Sequence, residues 1–263
     1  MKKLKEIRLI FLALMIVCSL LSCTEEDEGC LDPDATNLDI SADKNCCCSY
    51  PNLTLDMSYS YGADSIRFFF DSLYLSEQGD SLLFRDLRFY ISDFVLFEGS
   101  DSLKILDSLS YNNNGYLRDD LVLIDPSRFV NQVGSRKGFG SYSRLKMTIG
   151  LRDSWLAVDS IEDNSSHPWL EDDFYLGNSH AVGVVSYDVI NMDTMNFTHF
   201  LFSPFYGSIS LGGSWELEQA TDFVIQLNLD IEALTRGIDF ANSGEEQIKS
   251  ILETNFINAV SIQ

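Results

Sequence analysis

Between Asp222 and Asp230 the chain alternates strictly: Phe223, Ile225, Leu227 and Leu229 occupy one parity, Val224, Gln226 and Asn228 the other. Arg144–Leu151 repeats the pattern with Leu145, Met147, Ile149 and Leu151. Successive side chains of a strand point to opposite faces, so a period of two predicts strands buried on one side. Further strands are expected at 53–60, 65–70, 86–97, 103–106, 121–124, 182–189, 196–202 and 206–211. Turn clusters punctuate them, among them Glu98-Gly99-Ser100-Asp101, Asn112-Asn113-Asn114-Gly115 and Leu211-Gly212-Gly213. About ten short strands over roughly 200 residues predict an all-β fold, an antiparallel β-sandwich. One helix is expected near the C-terminus. There Ile248, Ile251, Leu252, Asn255 and Phe256 recur at helical spacing behind Ser243-Gly244-Glu245-Glu246, which has capping-box spacing. Residues 231–236 suggest a short helical turn. The Asp-, Asn- and Ser-rich stretch 153–180 reads as one long loop, a length that is usually functional or disordered.

The first 48 residues obey different rules. Lys2, Lys3, Lys5 and Arg8 precede an apolar run, Leu9–Leu21, that is short for a bilayer span and suits a signal peptide. It ends Leu20-Leu21-Ser22-Cys23, which resembles the lipobox of bacterial lipoproteins; residues 1–22 would be the leader and Cys23 the lipidated residue. Residues 23–29 form an acidic tether, Thr24-Glu25-Glu26-Asp27-Glu28. This run resembles the signal that sends lipoproteins of Bacteroidetes-type bacteria to the cell surface, with the periplasmic leaflet of the outer membrane as the other destination. All six cysteines lie by residue 48. Residues 30–48 are too short for a core, so a disulfide from Cys30 to one of Cys46, Cys47 and Cys48 is the expected staple. A zinc site is the rival use of these thiols. Asp32, Asp34, Asn37, Asp39 and Asp43 are expected as turn residues, with weak calcium binding as the alternative.

Chemistry is sparse in the remaining body, residues 53–263. The formal net charge of −22 argues against nucleic acid, which needs clustered Lys and Arg. There is no Gly-x-Ser-x-Gly elbow, phosphate-binding glycine loop or His-Glu-x-x-His, and every cysteine is N-terminal. No catalytic residues are therefore expected. Three histidines, His167, His180 and His199, fall within 33 residues, with Met192 and Met195 between the last two. Imidazole is a common ligand of copper, zinc and nickel, and thioether suits Cu(I). Trp155, Trp169 and Trp215 are expected to pack in the core.

Phe84-Arg85-Asp86-Leu87-Arg88-Phe89-Tyr90-Ile91-Ser92-Asp93-Phe94-Val95-Leu96 resembles the early strand signature of the MbnP-like family, the methanobactin-associated copper-binding proteins and their lipoprotein relatives. Leu145–Leu151 followed by Asp153-Ser154, then Phe223–Phe240, then Glu245–Phe256 resemble later family segments in the same order. The resemblance covers about residues 53–263 and implies an extracytoplasmic β-sandwich that binds copper. It also implies a di-haem cytochrome c peroxidase-type partner, which oxidises a family tryptophan to kynurenine. On this chain His167-Pro168 matches a family His-Pro pair, and His199 a family histidine with a one-residue offset. Tyr175–His180 aligns with the tryptophan segment, but Leu176 and Asn178 stand at the tryptophan positions and His180 has no counterpart. The function expected is a lipid-anchored copper-binding or copper-handling protein without catalysis of its own, with His167 and His199 as main ligands and His180 as a third. The alternative is a metal-free surface module for adhesion or partner binding on the same fold.

Overall fold

The alternating segments pair into two sheets around one core. The computed structural model describes residues 26–263 except 63, 65, 113, 114, 129, 130, 159, 160, 162–166, 171–174, 177, 178, 181, 182, 192, 193, 203–206 and 241. The leader 1–22, Cys23 and the first tether residues lie outside the described residues. The chain divides into an N-terminal unit and the β-rich body.

In the N-terminal unit β1 (Glu28–Gly29) pairs in parallel with β2 (Lys44–Asn45). Two disulfides close it, Cys30–Cys48 and the adjacent pair Cys46–Cys47. Cys30 is buried, and closing a loop of this length is worth about 3 kcal/mol in the chain-entropy model. Polar side chains here serve turns: Asn37 Nδ2 donates to Cys47 O and its Oδ1 accepts from Ser49 N. Asp39 accepts from both the hydroxyl and the N–H of Ser41, and these bonds hold its carboxyl below the ordinary range.

The body's larger sheet is built on β6 (Ser81–Glu98). Phe89 pairs with both Gly183 and Ile124, and Ile91 with both Ile149 and Val122. So β15 (Gly183–Asn191) and β12 (Gly140–Ile149) lie end to end along one edge of β6. The opposite edge carries β5 (Leu73–Leu75), β10 (Val122–Ile124) and β7 (Asp101–Lys104). Outer strands β16 (Thr194–Phe202) and β17 (Gly207–Leu217) complete it. The smaller sheet centres on β3 (Asn52–Tyr61). On one edge sit β11 (Asn131–Ser135) and β4 (Ile66–Arg67); on the other sits β18 (Phe223–Asp230), then β19 (Val260–Ile262).

One face of each sheet is apolar, as the period of two requires. Leu53, Leu55, Ile225, Leu227 and Leu229 share a core cluster with Phe84, Leu87, Phe89, Leu145, Met147 and Ile149. Burying a side chain of this size contributes about 1.5–3 kcal/mol. The C-terminal helix, Glu245–Ala259, buries Ile248, Leu252 and Phe256, and the Phe256 ring meets Phe89 at 4.7 Å. The all-β sandwich with a C-terminal helix therefore stands.

Four expectations change in detail. The β3–β18 pair is parallel, because the chain returns to the second sheet only after passing through the first. The helix is capped by Gly244 with no side-chain bond, so Ser243 does not form the expected box. Glu245 and Glu246 instead place negative charge on the first turn. The stretch 153–180 is no plain loop. It holds α1 (Asp153–Leu156), a 3-10 turn at Pro168–Leu170 and the strands β13 (Tyr175–Leu176) and β14 (Ser179–His180), because Trp155, Val158 and Trp169 bury themselves. A hairpin of β8 (Ser108–Tyr111) and β9 (Gly115–Arg118), not expected as strands, brackets the Asn112–Gly115 turn cluster.

Candidate functional site

The segment joining β12 to β15 leaves and rejoins the larger sheet at one place. Gly150 N donates to Tyr90 O, and Gly183 is the register partner of Phe89. Tyr90 Oη donates to Pro168 O at 2.7 Å, and Ser92 Oγ donates to Gly150 O at 3.1 Å. Residues 90–92 are thus the mooring of the whole excursion.

Asp93 completes it. The register between β6 and β12 slips here, and Asp93 has φ 59°, a left-handed conformation that Asp tolerates better than most residues. The bulge turns its carboxylate onto two arginines, Arg118 at 3.0 Å and Arg152 at 2.8 Å. Arg118 also pairs with Asp120 at 2.7 Å, and Arg152 reaches Asp120 at 3.5 Å and Arg118 O at 2.6 Å. Asp120 is fully buried, and burial raises its carboxyl above the ordinary range, with Arg152 and Arg118 pulling back. Arg118 and Asp120 commit alternate side chains of an extended segment to this cluster. The residue between them, Asp119, turns the other way, onto His167.

His167 is buried, with 3% of its side chain exposed. Its Nδ1 accepts from Trp169 N at 3.1 Å, which leaves the ring proton on Nε2, 3.0 Å from Asp119 Oδ1. Trp155 stacks on the imidazole at 5.6 Å and on Trp169 at 5.7 Å. The indole Nε1 of Trp155 is buried without a hydrogen-bond partner. The His167–Asp119 pair borders a cavity of about 320 Å³ that Asp107, Asn131 and Val133 also line.

The three histidines separate in what they show. His167 is bonded at both ring nitrogens. His180 pairs with Tyr175 in β14, and His199 is the register partner of Ser186, itself opposite Asp86. Their side chains, and Met192, lie outside the description. Among the described residues no group of three or more His, Cys, Asp or Glu is arranged to hold a metal. What is present is one imidazole and one carboxylate. Coordination through Nε2 requires its proton either to leave or to move to Nδ1, and the move to Nδ1 deprives Trp169 N–H of its acceptor. The described donors alone therefore do not make a complete copper site. Trp155, Trp169 and Trp215 are all buried, as expected for packing. Sequence reasoning missed Asp93, Arg118, Asp119, Asp120 and Arg152; the bulge and the ion cluster join residues far apart in the chain.

No protein-family model matches the chain. No curated protein matches it. Among solved structures it is similar to MbnP from Methylosinus trichosporium, at 12% identity over 74% of this chain and 81% of that chain, with a TM-score of 0.48. That likeness concerns fold.

Proposed function

We propose that this protein is an extracytoplasmic, lipid-anchored copper-binding or copper-handling protein without catalysis of its own. It would be held at the outer membrane through Cys23, on the cell surface. A di-haem cytochrome c peroxidase-type protein would be its redox partner. The observation that carries the reading is that the three histidine-bearing segments are anchored at one place on the larger sheet. Pro168, next to His167, is bonded to Tyr90. His180 stands three residues before Gly183, and His199 three residues before Phe202. Gly183 pairs with both Phe89 and Phe202. The three segments are thus tied to the larger sheet around the Phe89–Gly183–Phe202 row and its neighbour Tyr90.

His167 and His199 would be the main ligands and His180 the third. Elemental analysis of the purified protein after Cu(I) or Cu(II) loading and desalting tests this. One tightly held copper per chain is expected, lost in the His167→Ala/His199→Ala double variant. Equal loose copper in both proteins, or none, overturns the assignment. One observation favours a second reading, a metal-free binding module on this fold: both nitrogens of His167 are already satisfied inside the protein.

A further inference from the structure

A second cavity lies at the smaller sheet, and His167 is not among its walls. It measures about 670 Å³, and Tyr59, Phe69, Phe70, Asn228 and Arg128 are among its walls. Phe70 and Pro126 also line a third cavity of about 530 Å³, beside Arg88, Asp86 and Asp125. These two cavities share Phe70 and Pro126 as walls and lie side by side along one groove, and each falls in the range of about 300–1,000 Å³ typical of ligand sites.

Its chemistry is mixed and close to neutral. Arg88 pairs with Asp86 at 2.8 Å, Arg128 with Asp125 at 3.7 Å and Arg85 with Asp188 at 2.9 Å, and Asp56 and Arg67 add one charge of each sign. Ser58, Asn228 and Ser60 form a hydrogen-bonded chain on the sheet's polar face. Phe69 is 53% exposed, with the Arg67 guanidinium 5.2 Å from its ring centre. One buried polar atom of the groove wall, Tyr59 Oη, has no hydrogen-bond partner. An unpaired buried donor is costly and points to a ligand that would complete it.

We propose that this groove binds a neutral oligosaccharide chain. A sugar ring has an apolar face for an exposed aromatic side chain and hydroxyls that both donate and accept. Paired guanidinium, carboxylate and amide groups answer those hydroxyls two at a time. A polyanionic chain is disfavoured by the net charge of −22. An added peptide strand is disfavoured by the sheet edge itself. β11 covers β3 as far as Leu55, β4 covers it from Ser60, and the carbonyl of Tyr59 already accepts from Phe68 N. Too little main chain is left open for a strand to pair.

Affinity electrophoresis of the whole protein through native gels holding xylan, mixed-linkage β-glucan or galactomannan tests the proposal. Retardation is expected in at least one gel. Phe69→Ala should weaken it about tenfold, and Tyr59→Phe, which removes only the phenol oxygen, by several-fold. Leu73→Ala, an exposed apolar residue outside the groove, should migrate as the parent does. No retardation in any gel, or equal retardation with and without the Phe69 ring, overturns the proposal. So does binding of an extended peptide in the groove with no polysaccharide binding. Copper content plays no part in these outcomes, so they stand apart from the metal reading.

Discussion

Replacing Trp155 by alanine is expected to destabilise the protein by about 3–5 kcal/mol, the range for deleting a buried indole from a packed core. Trp155 has no exposed surface, stacks on both His167 and Trp169, and starts the excursion at α1. Its removal leaves a cavity that the mooring at residues 90–92 prevents from collapsing. Urea denaturation followed by circular dichroism reads the loss. The fluorescence of Trp169 should also shift to the red as water enters beside it. A loss below about 1 kcal/mol, the range of ordinary surface changes, would mean that the excursion is not packed as part of the core.

The second large effect concerns the ion cluster. Asp120→Ala should cost about 3–5 kcal/mol, because it leaves the guanidiniums of Arg118 and Arg152 sharing the single carboxylate of Asp93. It should also loosen Asp119, whose direction is set by its two neighbours. The pH dependence follows from burial. The carboxyl of Asp120 is raised above its unfolded value, so above about pH 4 the unfolded state releases this proton before the folded state does. The Asp120 contribution is therefore fully present below the ordinary carboxylate range and declines as pH rises through the folded value. Asp120→Asn removes this titration. The stability difference between parent and Asp120→Asn should accordingly shrink with rising pH, measured by thermal melts from pH 3.5 to 7. A difference that widens with pH would show that the arginines, not burial, dominate that site.

Much of the fold was legible because strand alternation is a local signal. Phe223–Leu229 and Leu145–Leu151 announced their buried faces, and β18 and β12 bear these out. Long-range facts were not legible. Nothing near Phe223 says that β18 will run parallel to β3, since that depends on the course of residues 62–222 between them. The stretch 153–180 misled for a related reason. Trp155 and Trp169 were expected in the core, but they and Val158 are spaced too irregularly to show a period, so the short elements that carry them were read as loop. For the site, the histidines were visible as a cluster, and the family resemblance singled out His167 and His199. Asp119, the distant partner of His167, was hidden, because it is aimed by its neighbours in an ion cluster that joins three segments at Asp93, Arg118–Asp120 and Arg152. The capping box failed by a single residue: the helix starts behind Gly244, out of reach of the Ser243 hydroxyl.

The central claim is that copper is held by histidine side chains of the three segments anchored at one place on the larger sheet. X-ray absorption at the copper edge of the loaded protein tests it most directly. The account predicts two or three imidazole ligands at about 2.0 Å, a typical distance for metal–histidine nitrogen bonds, with one imidazole signal lost in His199→Ala. A first shell of carboxylate and water oxygen alone, or an imidazole count unchanged by that substitution, would contradict it.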